Sequence, residues 1–338
     1  MEHKENRIEK RPVFIVDGLR TPFLKFKGVP GEFSASDLGV GAARPLLMRQ
    51  PFTPDNFDHV IVGCVNPSEE EANIARVIAL RLGCGNKVPA YTVQRNCASG
   101  LQSIDVAAES IRSGHANLIL AGGVEAMSRA PLLFPRAFAT WMGQFQKAKN
   151  IPQKVKAFFY LRPQYLVPVI ALLKGLTDPV VNLNMGQTAE ELAYRFKISR
   201  REMDEYAMHS HLRSVQAFEH GEFEEITPLY SAKGNVFEND DGVRPDSTVE
   251  KLGKLKPAFE KYGSITAGNS SQISDGGAFV ILASQEAVDK YKLNVLAKIV
   301  DTHWAALDPA IMGLGPIHAM TPILQRQNLT LSDIDFFE

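Results

Sequence analysis

The stretch AYTVQRNCASGLQSIDVAAESIRSGHANLILA, residues 90–121, carries the pattern that decides the fold class. Residues 90–94 and 117–121 are apolar enough to form buried strands. Residues 98–112 between them are predicted to form a helix that ends at Gly114, because apolar residues recur on one helical face: Leu101, Ile104, Ala108 and Ile111. The order strand, helix, strand is typical of α/β proteins with parallel strands.

The alternation of strands and helices continues on both sides of this stretch. Further buried strands are predicted at residues 12–18, 59–64, 276–283 and 295–300, and helices at residues 37–47 and 70–82. Residues 125–181 break the pattern, because their Pro, Met, Lys and aromatic residues show no strand alternation. A capping box, Ser199 with Glu202, then predicts the start of another helix. The sequence therefore predicts an α/β protein with parallel strands and a helical insertion in its middle third.

The composition is that of an ordinary globular protein. At roughly 150 residues per domain, the 338 residues predict two or three domains. The 37 basic and 38 acidic residues give a net charge of −1, so a general nucleic-acid binder is not expected. Three cysteines cannot form a paired framework, which favours a reducing compartment. Residues 1–11 lack the apolar core of a secretory signal, and the longest apolar run, residues 165–173, is far shorter than the ~20 residues of a membrane span.

Cys97 is the most suggestive candidate for chemistry. It lies in RNCASG, residues 95–100, between a predicted strand and a predicted helix. The positive end of the helix dipole and the free N–H groups of the first helical turn favour a thiolate there. The residues that follow are small, so a substrate could approach. From spacing alone, a nucleophile and a buried, inert cysteine are both open.

The other candidate features each have a structural alternative. Cys64 and Cys84 are expected to be packing or turn residues, and His318 could lie near a site. The segment TAGNSS, residues 266–271, suits either a wall beside a polar ligand chain or a plain loop. No histidine or cysteine spacing is typical of a metal site, and no complete dinucleotide fingerprint occurs.

Residues 147–174 mix Lys and Arg with aromatic and aliphatic residues. Such a segment could lie on a membrane surface. An amphipathic helix packed against its own protein is the favoured alternative.

Taken together, the motifs resemble those of the thiolase family, the acyl-CoA acetyltransferases. The matching segments follow one another in family order over nearly the whole chain: RTPF (20–23), NCASGLQ (96–102), GGVEAMS (122–128), NMGQTAE (184–190), KPAF (256–259), TAGNSS (266–271), DGGA (275–278) and MGLGP (312–316). Within the family, LRP at 161–163 and GVRP at 242–245 look most like the β-subunit of trifunctional β-oxidation complexes. Those proteins are degradative thiolases that act on longer acyl chains.

The resemblance implies a fold and a domain division. The fold would be the α/β thiolase fold, two similar mixed-sheet halves with an inserted helical loop domain. Residues 12–124 and 251–291 would form the N-terminal half, and residues 125–250 the loop domain. Residues 292–338 would begin a C-terminal half that is incomplete.

The resemblance also implies the roles of single residues. Cys97 would be the nucleophile that carries an acyl thioester. Ser271, Gly268 and Asn269 would line the path of coenzyme A (CoA), and Met185 would line the acyl pocket. In thiolysis the thiolate attacks the keto carbon of a 3-ketoacyl-CoA, acetyl-CoA leaves, and a second CoA accepts the acyl group. CoA is thus a substrate, and neither a metal nor a tightly bound cofactor is implied.

Several partners follow from the same resemblance. They are acyl-CoA and CoA, a second copy in a homodimer or larger oligomer, and a hydratase/dehydrogenase α-subunit. The expected localisation is cytoplasmic, or the mitochondrial matrix in a eukaryote.

The sequence departs from the family pattern at its end. The family continues with an Asn-Glu-Ala-Phe segment, a Gly-His-Pro segment whose His activates the nucleophile, and a Cys-x-Gly-Gly-Gly segment whose Cys is the acid/base. The 338 residues contain none of these. We therefore expect a C-terminally truncated thiolase that exposes an unfinished core and is catalytically defective.

Three other functions stay open. One is a biosynthetic acetoacetyl-CoA thiolase, although such short-chain relatives tend to have His where Asn184 stands. The second is a non-catalytic, acyl-CoA-binding, thiolase-like protein. The third is a decarboxylating ketoacyl synthase, which the Asn-Cys-Ala-Ser-Gly context and the long loop region disfavour.

Overall fold

A computed structural model describes residues 11–338 of the chain. The charged segment in which no secretory signal is expected covers residues 1–11. All of it except Arg11 lies outside the described residues.

The described residues form eleven strands and eleven helices. The strands are β1 (Val13–Arg20), β2 (Leu24–Lys25), β3 (His59–Gly63), β4 (Ala90–Val93), β5 (Leu118–Ala126), β6 (Leu132–Leu133), β7 (Val169–Ile170), β8 (Leu229–Tyr230), β9 (Val236–Phe237), β10 (Ser274–Ser284) and β11 (Ala297–Lys298). The helices are α1 (Ala35–Met48), α2 (Ile74–Arg81), α3 (Ser99–Arg112), α4 (Arg136–Lys147), α5 (Ile151–Phe159), α6 (Ala171–Gly175), α7 (Met185–Phe196), α8 (Arg200–Glu219), α9 (Val249–Gly253), α10 (Gln285–Tyr291) and α11 (Gly315–Gln327).

Seven strands form one mixed sheet in the order β11-β1-β10-β5-β3-β4, with β2 paired to the start of β10. β3 runs parallel to both β4 and β5, as the strand–helix–strand pattern predicts. The expectation of parallel strands is wrong for β10, which pairs antiparallel with both β5 and β1. A helical crossover forces parallel pairing only between the strands that it joins. β5 and β10 are joined instead through the long insertion, which imposes no direction.

Two predicted elements are shorter in the structure. α2 begins at Ile74 rather than near residue 70, because the side chain of Asn73 caps the helix by accepting from the N–H of Arg76. The strand predicted at residues 295–300 is reduced to β11, an edge strand with two paired residues. Leu296 and Ile299 on either side of it each donate one backbone hydrogen bond to β1.

Helices cover both faces of the sheet, which explains its continuously apolar strands. α1 and α2 pack on one face and α3 packs on the other. Successive residues of a strand point to opposite faces. Val60 and Val62 therefore belong to the core under α1 and α2, whereas Ile61 belongs to the core under α3. Ala108 and Ile111, from the predicted apolar face of α3, are buried in that second core.

The helical insertion lies beside the sheet rather than within it. Residues 127–253 contain α4 to α9 and two small sheets, β6 with β7 and β8 with β9. The predicted capping box is confirmed, because Ser199 and Glu202 each accept a backbone N–H of the other at the start of α8. The division of the chain into an interrupted N-terminal half, a loop domain and a C-terminal half stays a prediction. Within residues 11–338, no helix is both long and apolar enough to cross a membrane.

Candidate active site

Cys97 lies on a tight turn between β4 and α3. The N–H of Ala98 donates to the carbonyl of Arg95 at 3.0 Å and closes the turn. The hydroxyl of Ser99 accepts from the N–H of Arg95 at 2.8 Å and donates to the carbonyl of Asn96 at 2.6 Å. Asn96 has a φ of 45°, a left-handed conformation that asparagine tolerates better than most residues. These contacts fix the backbone on both sides of Cys97, which is itself exposed.

Two glycines allow the start of α3 to approach the sheet closely. A Cβ at Gly63, the last residue of β3, would lie 2.2 Å from the carbonyl carbon and oxygen of Ser99. A Cβ at Gly123, in β5, would lie 3.0 Å from the Cα of Gly100. The absence of side chains at these two positions therefore sets the depth at which the Cys97 turn rests on the sheet.

A closed ring of four side chains adjoins the Cys97 turn. The guanidinium carbon of Arg95 lies 4.1 Å from the ring centroid of Trp304, and its Nε donates to Gln102 at 2.5 Å. Gln102 in turn donates to the carboxylate of Asp105 at 3.2 Å. The same carboxylate oxygen accepts from the indole Nε1 of Trp304 at 2.7 Å. The ring ties the turn and the first two turns of α3 to a segment near the end of the chain.

The other two cysteines differ from Cys97 in burial. Cys64 and Cys84 are both buried, as predicted for packing residues. Burial raises the pKa of Cys64 to about 12, and the nearby Glu125 carboxylate adds to the rise. Burial likewise raises the pKa of Cys84 to about 11. Both therefore stay thiols at neutral pH, and a thiol is a far weaker nucleophile than a thiolate.

A second group of motif segments meets at α7. The Glu190 carboxylate accepts from the N–H groups of Ser264 at 2.8 Å and Ile265 at 2.7 Å. Burial alone would raise the pKa of Glu190, but these hydrogen bonds bring it below its usual value. At the other end of the contact, a Cβ at Gly186 would overlap the ring of Phe259. The motif segment at 184–190 thus meets residues 259–265, which lie about 70 positions further along the chain.

The predicted CoA-path residues lie on the loop that Glu190 holds. The side chain of Asn269 accepts from the N–H of Thr266 at 2.7 Å and donates to Asp204 at 3.0 Å. The N–H of Gly268 donates to the hydroxyl of Thr266 at 3.2 Å. Asn269 and Gly268 therefore maintain the shape of the loop. Ser271 is exposed, and its hydroxyl donates to the carbonyl of the next residue at 3.4 Å.

The remaining candidates lie on other elements. Met185 is the half-buried first residue of α7, and His318 is exposed on α11. Hydrogen bonds in residues 11–338 connect the loop at 264–271 to α7, but none connects either of them to the Cys97 turn. No group of three or more His, Cys, Asp or Glu side chains in that range is placed to hold a metal ion.

Several motif residues are structural anchors that sequence reasoning did not assign. Glu125 accepts from the N–H groups of Val65 at 2.9 Å and Asn66 at 3.1 Å, and so holds the loop after β3. The N–H and the hydroxyl of Ser128 donate to Asp275 at 2.8 and 2.5 Å. An acidic residue within an apolar strand is the one signal the sequence offers for such an anchor. Its partners lie far away in sequence and give no signal.

Comparisons with known proteins cover almost the entire chain. The family model "Thiolase, N-terminal domain" matches residues 13–286, and "Thiolase, C-terminal domain" matches residues 293–338. The mitochondrial 3-ketoacyl-CoA thiolase of Rattus norvegicus is 39% identical over 334 residues, which are 97% of this chain and 79% of the relative. The crystal structure of human mitochondrial 3-ketoacyl-CoA thiolase in complex with CoA has a TM-score of 0.84 at 37% identity, covering 96% of this chain and 78% of that one. The acetyl-CoA acetyltransferase of Bacillus anthracis has a TM-score of 0.84 at 35% identity, covering 97% and 79%.

Proposed function

The chain belongs to the thiolase family of acyltransferases and has the thiolase fold, and from this premise we propose that it cleaves 3-ketoacyl-CoA with CoA through an acyl thioester on Cys97. The family and fold implied by the order of the sequence motifs are thereby confirmed. The substrate, the direction of the reaction and the residue roles are our proposals.

One observation carries the proposal, the difference in accessibility among the three cysteines. Cys97 is exposed at the start of α3 on a turn that hydrogen bonds hold on both sides. Cys64 and Cys84 are buried, and their raised pKa values keep them protonated at neutral pH. A covalent acyl carrier must meet its substrate and must react as a thiolate. Cys97 is the cysteine of this chain that meets the first requirement.

The proposed chemistry proceeds in two transfers. The Cys97 thiolate attacks the keto carbon, the bond between that carbon and the α-carbon breaks, and its electron pair leaves with the acetyl-CoA enolate, which takes up a proton. The thiol of a second CoA then loses its proton and attacks the thioester carbonyl, which releases the shortened acyl-CoA and restores the thiolate. The resemblance assigns the proton transfers to a His and a second Cys in segments that the 338 residues do not contain. We expect acyl transfer onto Cys97 to be measurable in this chain.

For CoA binding we propose the loop at residues 266–271. The exposed hydroxyl of Ser271 would contact the pantetheine chain, while Gly268 and Asn269 would form the backbone wall behind it. The human relative solved in complex with CoA supports CoA as a ligand of this fold. Met185, at the start of the adjoining α7, would line the acyl pocket.

We propose the degradative direction with longer acyl chains, as in fatty-acid β-oxidation. Asn184 stands where biosynthetic relatives tend to have His, and its side chain is engaged as the N-cap of α7, accepting from the N–H of Gln187 at 2.9 Å. The relatives named 3-ketoacyl-CoA thiolase support the same direction. If activity of a chain that also carries the His and Cys segments peaked at the shortest ketoacyl substrate, the biosynthetic alternative would replace this proposal.

The partners and the location of the protein are also proposals. We propose a homodimer or larger oligomer and an association with a hydratase/dehydrogenase α-subunit, which size-exclusion chromatography and co-purification would test. The mitochondrial relatives support a matrix location for a eukaryotic source, and the cytoplasm is proposed otherwise.

The decisive experiment measures the intact mass of the chain after exposure to acyl-CoA. We expect one acyl adduct per chain, which neutral hydroxylamine removes because it is a thioester. Cys97→Ala should abolish the adduct, whereas Cys84→Ala, at a buried cysteine, should retain it. An adduct that survives in Cys97→Ala would overturn the role of Cys97. Stable CoA binding without any adduct would instead favour the non-catalytic, acyl-CoA-binding alternative.

A further inference from the structure

The ring of four side chains beside the Cys97 turn takes no part in the proposed chemistry. Its members are Arg95, Gln102, Asp105 and Trp304. Gln102 and Asp105 lie on α3, whereas Trp304 belongs to the segment after β11. Arg95 is exposed, and the other three are half-buried. The ring therefore joins an exposed residue two positions before Cys97 to a remote part of the chain.

The indole of Trp304 is held at two points of opposite character. The guanidinium carbon of Arg95 lies 4.1 Å from its ring centroid, where the negative face of an aromatic ring attracts a cation. The Nε1–H, at the positive edge of the ring, donates to the Asp105 carboxylate at 2.7 Å. A cation and an anion thus fix the plane of one indole.

The segment that carries Trp304 is itself held in place. The Asp301 carboxylate accepts from Nε and Nη2 of Arg326, at 3.0 Å each, and so ties the segment to α11. Nη2 of Arg112, at the end of α3, donates to the carbonyl of Ile299 at 3.2 Å. The indole of Trp304 is therefore a support that contacts to two helices keep in position.

Arg95 connects this support to the Cys97 turn through the backbone. Its N–H donates to the hydroxyl of Ser99, and its carbonyl accepts from the N–H of Ala98. Asn96, between Arg95 and Cys97, has a φ of 45°. A left-handed residue of this kind persists only where its surroundings hold it. Freeing the Arg95 side chain should therefore loosen the backbone that orients Cys97.

We propose that Arg95 and Trp304 are positioning residues for Cys97. Neither touches the substrate; together they hold the backbone that directs the Cys97 sulfur toward the carbonyl carbon it attacks. This inference rests on the proposed acyl transfer. The proposed CoA contacts lie on a separate loop, at residues 266–271. Loss of the ring should therefore lower the rate of the attack and leave the binding of acyl-CoA unchanged.

The test follows acylation of Cys97 in the 338-residue chain by intact mass at a series of acetyl-CoA concentrations, which gives a maximal rate and a half-saturating concentration. Trp304→Ala should lower the maximal rate about 10-fold, whereas Trp304→Phe, which keeps a ring face for Arg95, should stay within about 3-fold of the parent. Asp105→Ala should also lower it about 10-fold, since it frees both the indole and Gln102. Asp105→Asn should restore the rate, because its amide oxygen can accept from both side chains.

A matched control separates positioning from stability. Tyr291 on α10 also contacts a cation, Lys290 at 4.8 Å, and packs against Phe52, so Tyr291→Ala should lower the Tm and leave acylation at the parent rate. Should Trp304→Ala not fold, the two Asp105 variants carry the test. The proposal is overturned if Trp304→Ala keeps the parent maximal rate, if it raises only the half-saturating concentration, or if Asp105→Asn is as slow as Asp105→Ala.

A second readout does not need acyl-CoA. The chain has two tryptophans, so Trp141→Phe leaves Trp304 as the single fluorescent indole. Alkylation of Cys97 by iodoacetamide should shift the Trp304 emission in this chain, and Arg95→Ala should abolish the shift. The shift without any acyl adduct would refute the proposed function and support the link between Cys97 and Trp304. An acyl adduct in a chain that shows no shift would overturn the link and leave the proposed function standing.

Discussion

A methyl group added at Gly63 should move the Cys97 turn. The Cβ of Gly63→Ala would lie 2.2 Å from the carbonyl carbon and oxygen of Ser99 and 2.6 Å from the nitrogen of Gly100, whereas ordinary contact begins at 3.4 Å. The atoms it meets are backbone, so no side-chain rotation relieves the clash. The start of α3 must therefore shift by about 1 Å.

Two consequences of that shift can be given magnitudes. Overpacking of this kind lowers the free energy of unfolding by about 1–3 kcal/mol. A displacement of about 1 Å at a reacting group can cost on the order of 100-fold in rate. We therefore expect Gly63→Ala to fold with reduced stability and to acylate Cys97 about 100-fold more slowly than the parent chain.

Two other glycines provide a graded series for the measurement. Gly123→Ala places its Cβ at 3.0 Å from backbone, so a shift of a few tenths of an ångström suffices and an intermediate effect is expected. Gly143→Ala, in α4, meets nothing within 4 Å and should stabilise the chain by up to ~1 kcal/mol without affecting Cys97. The assays are thermal unfolding, intact-mass kinetics with acyl-CoA, and alkylation by iodoacetamide, which needs no CoA path. A folded Gly63→Ala chain whose Cys97 reacts at the parent rate with both reagents would refute the reasoning.

Three further predictions address charge and accessibility. A chromogenic disulfide at pH 8 should label one thiol per native chain, and Cys97→Ser should abolish that labelling. The two buried thiols should react only when the chain unfolds, so rapid labelling of all three would contradict this prediction. Because the pKa of Glu190 is lowered, its stabilisation is complete above the ordinary value of 4.5 and is lost as the pH falls through the lowered value. The difference in Tm between the parent and Glu190→Gln should therefore be constant from about pH 6 to pH 8 and shrink below pH 4.5, and a difference that ignores pH would count against it. Trp304→Ala should lower the free energy of unfolding by about 1–3 kcal/mol. Trp304→Phe keeps a ring over Arg95 and should lower it by less. The reverse order would show that the contact between the ring and Arg95 does not stabilise the chain.

Local patterns predicted the longer strands of the main sheet and the helices α1, α2 and α3 that cover it, because burial on both faces leaves a direct mark on the sequence. The apolar run at 59–64 and the helical spacing at 98–112 correspond to β3 and α3, since most of their apolar residues pack in one of two cores. Leu101 is the exception on the predicted apolar face of α3, because it is 57% exposed. The direction of β10 left no such mark. A strand buried on both faces has the same composition whether its neighbours run parallel or antiparallel.

The candidate site likewise has features that the sequence predicted and features that it could not predict. Local sequence predicts the place of Cys97 between β4 and α3, but not its exposure, because a buried, inert cysteine fits the same spacing. The ring that joins Arg95 to Trp304 could not be predicted, because Trp304 is about two hundred residues away from the other three members. Asn269 shows the converse case. Its motif suggests ligand contact, whereas its side chain is engaged within its own loop and to Asp204.

The anchoring roles of the motif residues limit what the motifs can say about function. Glu125 holds the loop after β3, Asp275 holds Ser128, and Glu190 holds the loop at 264–271, all through contacts within the chain. A thiolase-like protein that only bound acyl-CoA would need these same anchors to keep its fold. The order of the motifs therefore cannot distinguish a non-catalytic, acyl-CoA-binding protein from an enzyme. The separation must come from Cys97, the exposed cysteine of the motifs. The acylation of Cys97, and its slowing when Gly63 gains a methyl group, is therefore the observation that would distinguish the two.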